Sequence, residues 1–329
     1  MSTSTENPSF DVNEIDEKIE KDGEFIINNE KEEKKTIFKF IKNFSKEDNE
    51  KKDENSSYPK YFCEISAKNF KYIGILTNEL KRDIYGYSLL DNQDEFLGEY
   101  KNQIREGFGI YKFKPNEERN EIYIGEYINN KKEGKGIFIK INKIIKDDSN
   151  GNNVLIDFDS NIGTFKDNLF EKGIIYSLKD KAERLYYGKL NDLGEQEDTE
   201  ALLIEDKNKI FKGKISKGNL IEGRNIFIND KYEKTKAYYF KKEKNEKNEE
   251  NYQFDYNKNE KDDEENIKKV KEILERKYSE KLQEIFNLLN NSFGTFKSYE
   301  KAINIDFEND IKNKIKNELD KIILDWIEK

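Results

Sequence analysis

The chain has 329 residues, of which 39% are charged and 34% hydrophobic, with one cysteine, no histidine and a formal net charge of −9. Without histidine there is no Ser-His-Asp or Cys-His nucleophile system and no imidazole metal ligand, and with Cys63 alone there is no intramolecular disulfide and no thiolate zinc cluster. No apolar run is long enough for a transmembrane helix, and the first residues lack the basic and apolar regions of a secretory leader, so a cytoplasmic protein in a reducing compartment is expected.

Residues 1–57 carry 16 acidic and 10 basic residues and are expected to be largely disordered. The exception is 34–46, where Ile37, Phe40, Ile41 and Phe44 fall at helical spacing with lysines between them. This segment is expected to form a short basic helix that packs on the chain or docks on a membrane or partner.

Residues 58–240 hold 16 of the 18 glycines and an internal repeat. Phe96–Phe113 and Tyr123–Lys140 both begin aromatic-x-Gly-Glu-Tyr, and both place two further glycines nine and eleven residues after the first. These glycines are Gly98, Gly107 and Gly109 in one copy and Gly125, Gly134 and Gly136 in the next. Weaker copies open at Gly74, Gly163, Gly188 and Gly213, and three of them have a later glycine at Gly86, Gly173 and Gly223. In the copies at Gly163 and Gly213, Ile175 and Asn225 stand where a second late glycine is expected. The motif at 157–163 has calcium-loop spacing, but Leu169 stands where the closing glutamate should be, so no metal is expected.

Within one repeat, Phe96, Gly98 and Tyr100 share one face of a strand, and Gly107, Gly109, Tyr111 and Phe113 share one face of the returning strand. The unit therefore reads as a β-hairpin whose rings lie over bare glycine backbone. The other face, with Leu97, Glu99, Lys101, Phe108, Ile110 and Lys112, is expected to be partly solvated. One hairpin is unstable alone. About six in series predict a mainly β fold, an elongated antiparallel meander, with Tyr61–Ile65 and Ala237–Phe240 as terminal cap strands.

Residues 241–266 carry 10 acidic and 6 basic residues and read as a charged linker. In 267–329, one apolar stripe runs from Ile267 to Leu289 and another from Phe307 to Trp326, separated by a stop at Asn290, Asn291 and Gly294. These are expected to be two helices forming a hairpin, a cap on the repeat domain, or a self-association surface.

The repeat resembles the MORN repeat family, whose motif is aromatic-x-Gly-x-aromatic, a polar turn, then Gly-x-Gly-x-aromatic. The matching residues are Phe96, Gly98, Tyr100, Gly107, Gly109 and Tyr111 in one copy, and Tyr123, Gly125, Tyr127, Gly134, Gly136 and Phe138 in the other. The resemblance implies a non-catalytic scaffold of the kind found in protist cytoskeletal and ciliary assemblies. It would have protein partners and no cofactor, and would hold a peptide or helix at Tyr100, Tyr111, Tyr127 and Phe165, unless these rings only fill the sheet's own core over the glycines. The alternative it implies is peripheral binding to anionic phospholipid, for which Lys131-Lys132 and the basic segment 34–46 are the candidate clusters. An acidic chain with no basic domain is not expected to bind nucleic acid.

Overall fold

A computed structural model describes residues 24–29, 34–43, 59–77, 79–116, 120–146, 153–244, 250–257, 262–274, 277–297, 299–302 and 306–317. The fold is mainly β, an antiparallel meander of hairpins followed by helices. The chain divides into two compact units: the first comprises Met1–Lys114, Glu126–Asn130 and Asn290–Lys312, the second Pro115–Gly125, Lys131–Leu289 and Asn313–Lys329.

In the first unit, β1 (Glu24–Asn29), β2 (Lys34–Asn43), β3 (Pro59–Ala67), β4 (Phe70–Thr77), β5 (Arg82–Leu89), β6 (Glu95–Lys101) and β7 (Ile104–Lys112) each pair antiparallel with the next. The expected helix at 34–46 is therefore a strand over Lys34–Asn43. Its Phe38 lies opposite Ile65 and its Phe40 opposite Cys63. An isolated helix this short is marginal in water, whereas β3 supplies a ladder of backbone partners to a segment rich in isoleucine and phenylalanine. Tyr61–Ile65 is consequently an inner strand rather than a terminal cap.

In the second unit, β9 (Lys131–Lys146), β10 (Asn153–Lys166), β11 (Leu169–Lys179), β12 (Ala182–Lys189), β13 (Asp198–Glu205), β14 (Lys209–Ser216), β15 (Asn219–Ile228), β16 (Lys234–Lys244) and β17 (Glu250–Asp255) continue the same consecutive pairing. β8 (Glu121–Ile128) contributes residues to both units. The region read as a linker thus holds the end of β16 and all of β17, because Tyr252, Phe254 and Tyr256 alternate at strand period inside an otherwise charged segment.

Several hairpins close with two-residue turns in which both central residues have positive φ. Examples are Asn102-Gln103, Asn129-Asn130, Asp167-Asn168 and Asp180-Lys181. This is the type I′ geometry whose twist matches that of the strands it joins, and asparagine and aspartate tolerate it best after glycine.

The helices are α1 (Asp263–Leu274), α2 (Tyr278–Phe296), a single turn α3 (Tyr299–Ala302) and a π-helical turn at Phe307–Lys312. Asn290, Asn291 and Gly294 lie inside α2. The break falls earlier, at Lys277, which has φ of 53° and whose amide donates to the Leu274 carbonyl. The apolar stripes are buried at Val270, Leu282, Ile285, Leu289, Phe307, Ile311 and Ile315. They are therefore not open for self-association. Leu319, Ile322 and Trp326 lie outside the described residues.

Candidate functional site

Small residues occupy one row across the strands. In the first unit Cys63 pairs with Gly74, Gly74 with Gly86, Gly86 with Gly98, and Gly98 with Gly109. In the second unit Gly136 pairs with Gly163, Gly163 with Gly173, and Gly173 with Gly188. Farther along, Ala201 pairs with Gly213 and Gly213 with Gly223. The row is small because backbone and rings crowd it. A Cβ on Gly98 would lie 2.5 Å from the Gly109 Cα, and one on Gly109 would lie 2.5 Å from the Phe96 ring.

The ring two residues before the opening glycine lies over this row. Tyr72, Phe96, Tyr123, Tyr186 and Phe211 are all at most 1% exposed. The Tyr72 hydroxyl donates to the Ile75 carbonyl at 2.8 Å, and that of Tyr186 to the Lys189 carbonyl at 2.7 Å, so a tyrosine can be buried here without an orphaned donor. Tyr186 and Phe211 were not singled out in the sequence, although the aromatic-x-Gly spacing marks both.

The Gly-x-Gly pair serves two purposes. Gly107 and Gly134 have φ of 95° and 68°, a conformation that penalises any side chain, and Gly107 lies in a β-bulge. Gly109 and Gly136 instead provide the space beneath the rings of Phe96 and Tyr123. This corrects the reading of the weaker copies. Gly173 and Gly223 hold the row position, opposite Gly163 and Gly213, after a bulge one residue shorter. The glycine within the bulge is the one that is missing, while Gly173 and Gly213 in the row themselves have φ of 145° and 155°. Ile175 lies across from Tyr186 and Asn225 across from Phe211, both outside the row. Asn225 is buried, and its Oδ1 accepts no hydrogen bond from the described residues.

Three of the four candidate partner-binding rings are inside the sheet. Tyr100 and Tyr127 are 4% and 3% exposed and meet Phe96 edge to face at 5.2 and 5.4 Å. Phe165 is buried against Tyr123 at 5.0 Å. Tyr111 is half-buried, packs on Phe113 at 4.7 Å and donates its hydroxyl to Asp94 at 2.7 Å. Burial, reinforced by the Asp94 carboxylate, pushes the Tyr111 phenol up to about 12.

Cations cap the rings from the turn side, which the sequence did not reveal. Arg82 lies 4.9 Å from the Tyr100 ring centroid, Arg105 lies 5.5 Å from that of Tyr127, and Lys132 lies 4.8 Å from that of Phe138. The same residues tie one hairpin to the next. The Arg105 amide donates to Asn130 Oδ1 at 2.9 Å, and the Lys132 amide donates to Asn168 Oδ1 at 2.9 Å.

The opposite face is partly solvated at its charged residues, with Lys101 exposed and Glu99 and Lys112 half-buried, while its apolar residues are covered. Leu97, Phe108 and Ile110 are at most 2% exposed. In the first unit Phe307 stacks on Tyr85 at 4.9 Å, Phe293 meets Tyr87 at 6.2 Å, and Lys312 binds Glu99 at 2.8 Å. Glu99 also accepts a hydrogen bond from the Phe108 amide. In the second unit Tyr278 packs on Tyr176 at 5.6 Å, and Arg224 forms a bidentate pair with Asp263 at 2.9 and 2.8 Å. Asp263, at the start of α1, is fully buried and also receives Lys234 at 3.2 Å. Removing one partner of such a pair costs about 3–5 kcal/mol, because the other charge is left buried. The helices thus line the sheet face opposite the glycine row.

Among the described residues there is no group of three or more Cys, Asp or Glu side chains arranged to hold a metal ion, and no helix long and apolar enough to cross a membrane. No curated protein matches the chain. Residues 96–116 and 123–142 match the model of the MORN repeat, the same two copies whose rings and glycines interlock most completely, so the chain carries two MORN repeats there.

Proposed function

We propose that the protein is a non-catalytic scaffold that holds a helix or an extended peptide on its repeat sheet, within a cytoskeletal or ciliary assembly of the cytoplasm. MORN repeats are in general protein- or membrane-interaction motifs, and the family is typically non-catalytic. The observation that carries the reading is the packing of the chain's own helices on the sheet. The sheet face opposite the glycine row offers rings such as Tyr85 and Tyr87 that accept helical side chains. On the glycine side, the buried rings make the sheet rigid, and the half-buried pair Tyr111 and Phe113 is the part left for a partner.

Co-purification from the source cell with the full-length chain and with the double variant Tyr111→Ala, Phe113→Ala tests this. The reading expects a defined set of cytoskeletal or axonemal proteins with the wild type, lost with a variant that melts within a few degrees of it. A partner set of vesicle proteins, together with flotation of the wild type on vesicles rich in anionic phospholipid, favours the membrane alternative instead. Unchanged capture by the variant overturns the assignment of these two rings.

A further inference from the structure

In the first unit, residues 290–312 pack on the sheet face opposite the glycine row, and the backbone on both sides of that contact is unusual. On the sheet side the centre is Tyr85. Phe307 stacks on its ring at 4.9 Å, and Phe296 meets the same ring edge to face at 6.3 Å. Phe293 meets Tyr87 at 6.2 Å. The residue before Tyr85 is Ile84, which lies in the bulge of β5 with φ of 55°. It stands two residues before the row glycine Gly86, the position that Gly107 and Gly134 hold before Gly109 and Gly136. Glycine takes a left-handed backbone at no steric cost, whereas a β-branched residue there is a strained outlier. Ile84 is also exposed, so burial of its own side chain does not hold it. Such a conformation persists only where its surroundings over-determine it. What grips this bulge is the clamp of Phe296 and Phe307 on the neighbouring ring.

On the helix side, Phe307 opens the π-helical turn, a rare geometry that recurs at functional sites. The polar anchors of the segment are lysine–carboxylate pairs at its margin. Lys297, which is exposed, reaches Glu95 at 3.0 Å, and Lys312 reaches Glu99 at 2.8 Å. Water competes for such pairs, so they add little to the hold of the rings.

We propose that residues 290–312 are a displaceable internal occupant of a helix-binding face, and that a partner's amphipathic helix takes the same place on Tyr85 and Tyr87. The face sets the chemistry of that helix. It carries two aromatic side chains one turn apart, in place of Phe293 and Phe296, and basic residues for Glu95 and Glu99, whose lysines leave with the segment. The strain at Ile84 is a cost of the docked state that opening relieves. The face therefore opens more often than its buried rings alone would allow, and the partner helix meets it open. The partner rests on the scaffold reading above; the opening of the segment does not.

Hydrogen exchange of the full-length chain, read by mass spectrometry, tests the opening without a partner. Amides of 290–312 should exchange roughly tenfold or more faster than those of β4–β7. Ile84→Gly takes the strain out of the docked state and should slow the exchange of the segment by about tenfold. A synthetic peptide of residues 290–312 then probes the face by fluorescence anisotropy. It should bind the charge reversal Lys297→Glu, Lys312→Glu, which sets like charges against Glu95 and Glu99, roughly tenfold or more tighter than the wild type. A thermal scan checks that this variant is folded, and the Ile84→Gly result stands without it. A segment that exchanges at the rate of β4–β7 overturns the inference, as does an exchange rate unchanged by Ile84→Gly. A peptide that ignores the folded charge reversal, or binds it no better than the wild type, overturns it too. Each of these failures leaves capture through Tyr111 and Phe113 to its own test, because only the chain and its own peptide are measured.

Discussion

The copies at Phe96 and Tyr123 and the copies at Gly163 and Gly213 build the same hairpin with different glycines. All four keep a glycine opposite a glycine in the row. Only the first two carry the additional positive-φ glycine, Gly107 or Gly134. The comparison separates two demands that the motif presents as one. Space in the row is required in every copy, because ring or backbone atoms fill it, whereas a glycine within the bulge itself is required only where the bulge is long.

The largest expected effect breaks the comparison at the ring. Phe96→Ala removes a fully buried ring and should destabilise the chain by about 3–5 kcal/mol. The corresponding position in the copy at Gly163 is Asn161, which supplies no ring, and Asn161→Ala should fall within about 0.5 kcal/mol of wild type by denaturant titration. Next comes the bulge. Gly107→Ala forces a side chain into φ of 95° and should cost about 1–2 kcal/mol. The shorter bulge sharpens the contrast. Glu171 has no positive φ to relieve, so Glu171→Gly should not stabilise the protein and should cost about 0.5–1 kcal/mol through backbone entropy. The smallest effect is on the pH profile. The Tyr111 phenol is raised to about 12 in the folded chain, above its unfolded value of about 10. Its contribution is therefore fully present below about pH 10 and is lost as the pH climbs toward about 12. The melting temperature of Tyr111→Phe should fall less steeply over that interval than that of the wild type.

Much of the fold was legible in the sequence because the repeat repeats. Glycine at fixed intervals, aromatic residues two positions before it and asparagine or aspartate at the turns each constrain the backbone locally, and together they imply hairpins in series. What was illegible depended on distant partners. Lys34–Asn43 has helical spacing but is a strand, because β3 supplies its hydrogen bonds. Leu97 and Ile110 sit among charged residues yet are fully buried, on the face where Phe293 and Phe307, nearly 200 residues later, pack on Tyr87 and Tyr85. Tyr252, Phe254 and Tyr256 were hidden by composition, since a charged window averages away three alternating rings. The candidate rings Tyr100 and Tyr127 were correctly placed on one face, but spacing alone does not distinguish a ring that fills the sheet from one that meets a partner.

The central claim is that ring and row glycine are one interlocked unit, and a double-mutant cycle on Phe96 and Gly109 tests it most directly. The only atoms a Cβ on Gly109 would crowd closely belong to the Phe96 ring, with Tyr127 at 3.3 Å. Unfolding free energies of the wild type, Gly109→Ala, Phe96→Leu and the double variant should show the alanine to be costly beneath phenylalanine and nearly neutral beneath leucine, a coupling of about 1 kcal/mol or more. Additive costs would contradict the account, because the glycine would then be required for a reason other than the ring above it.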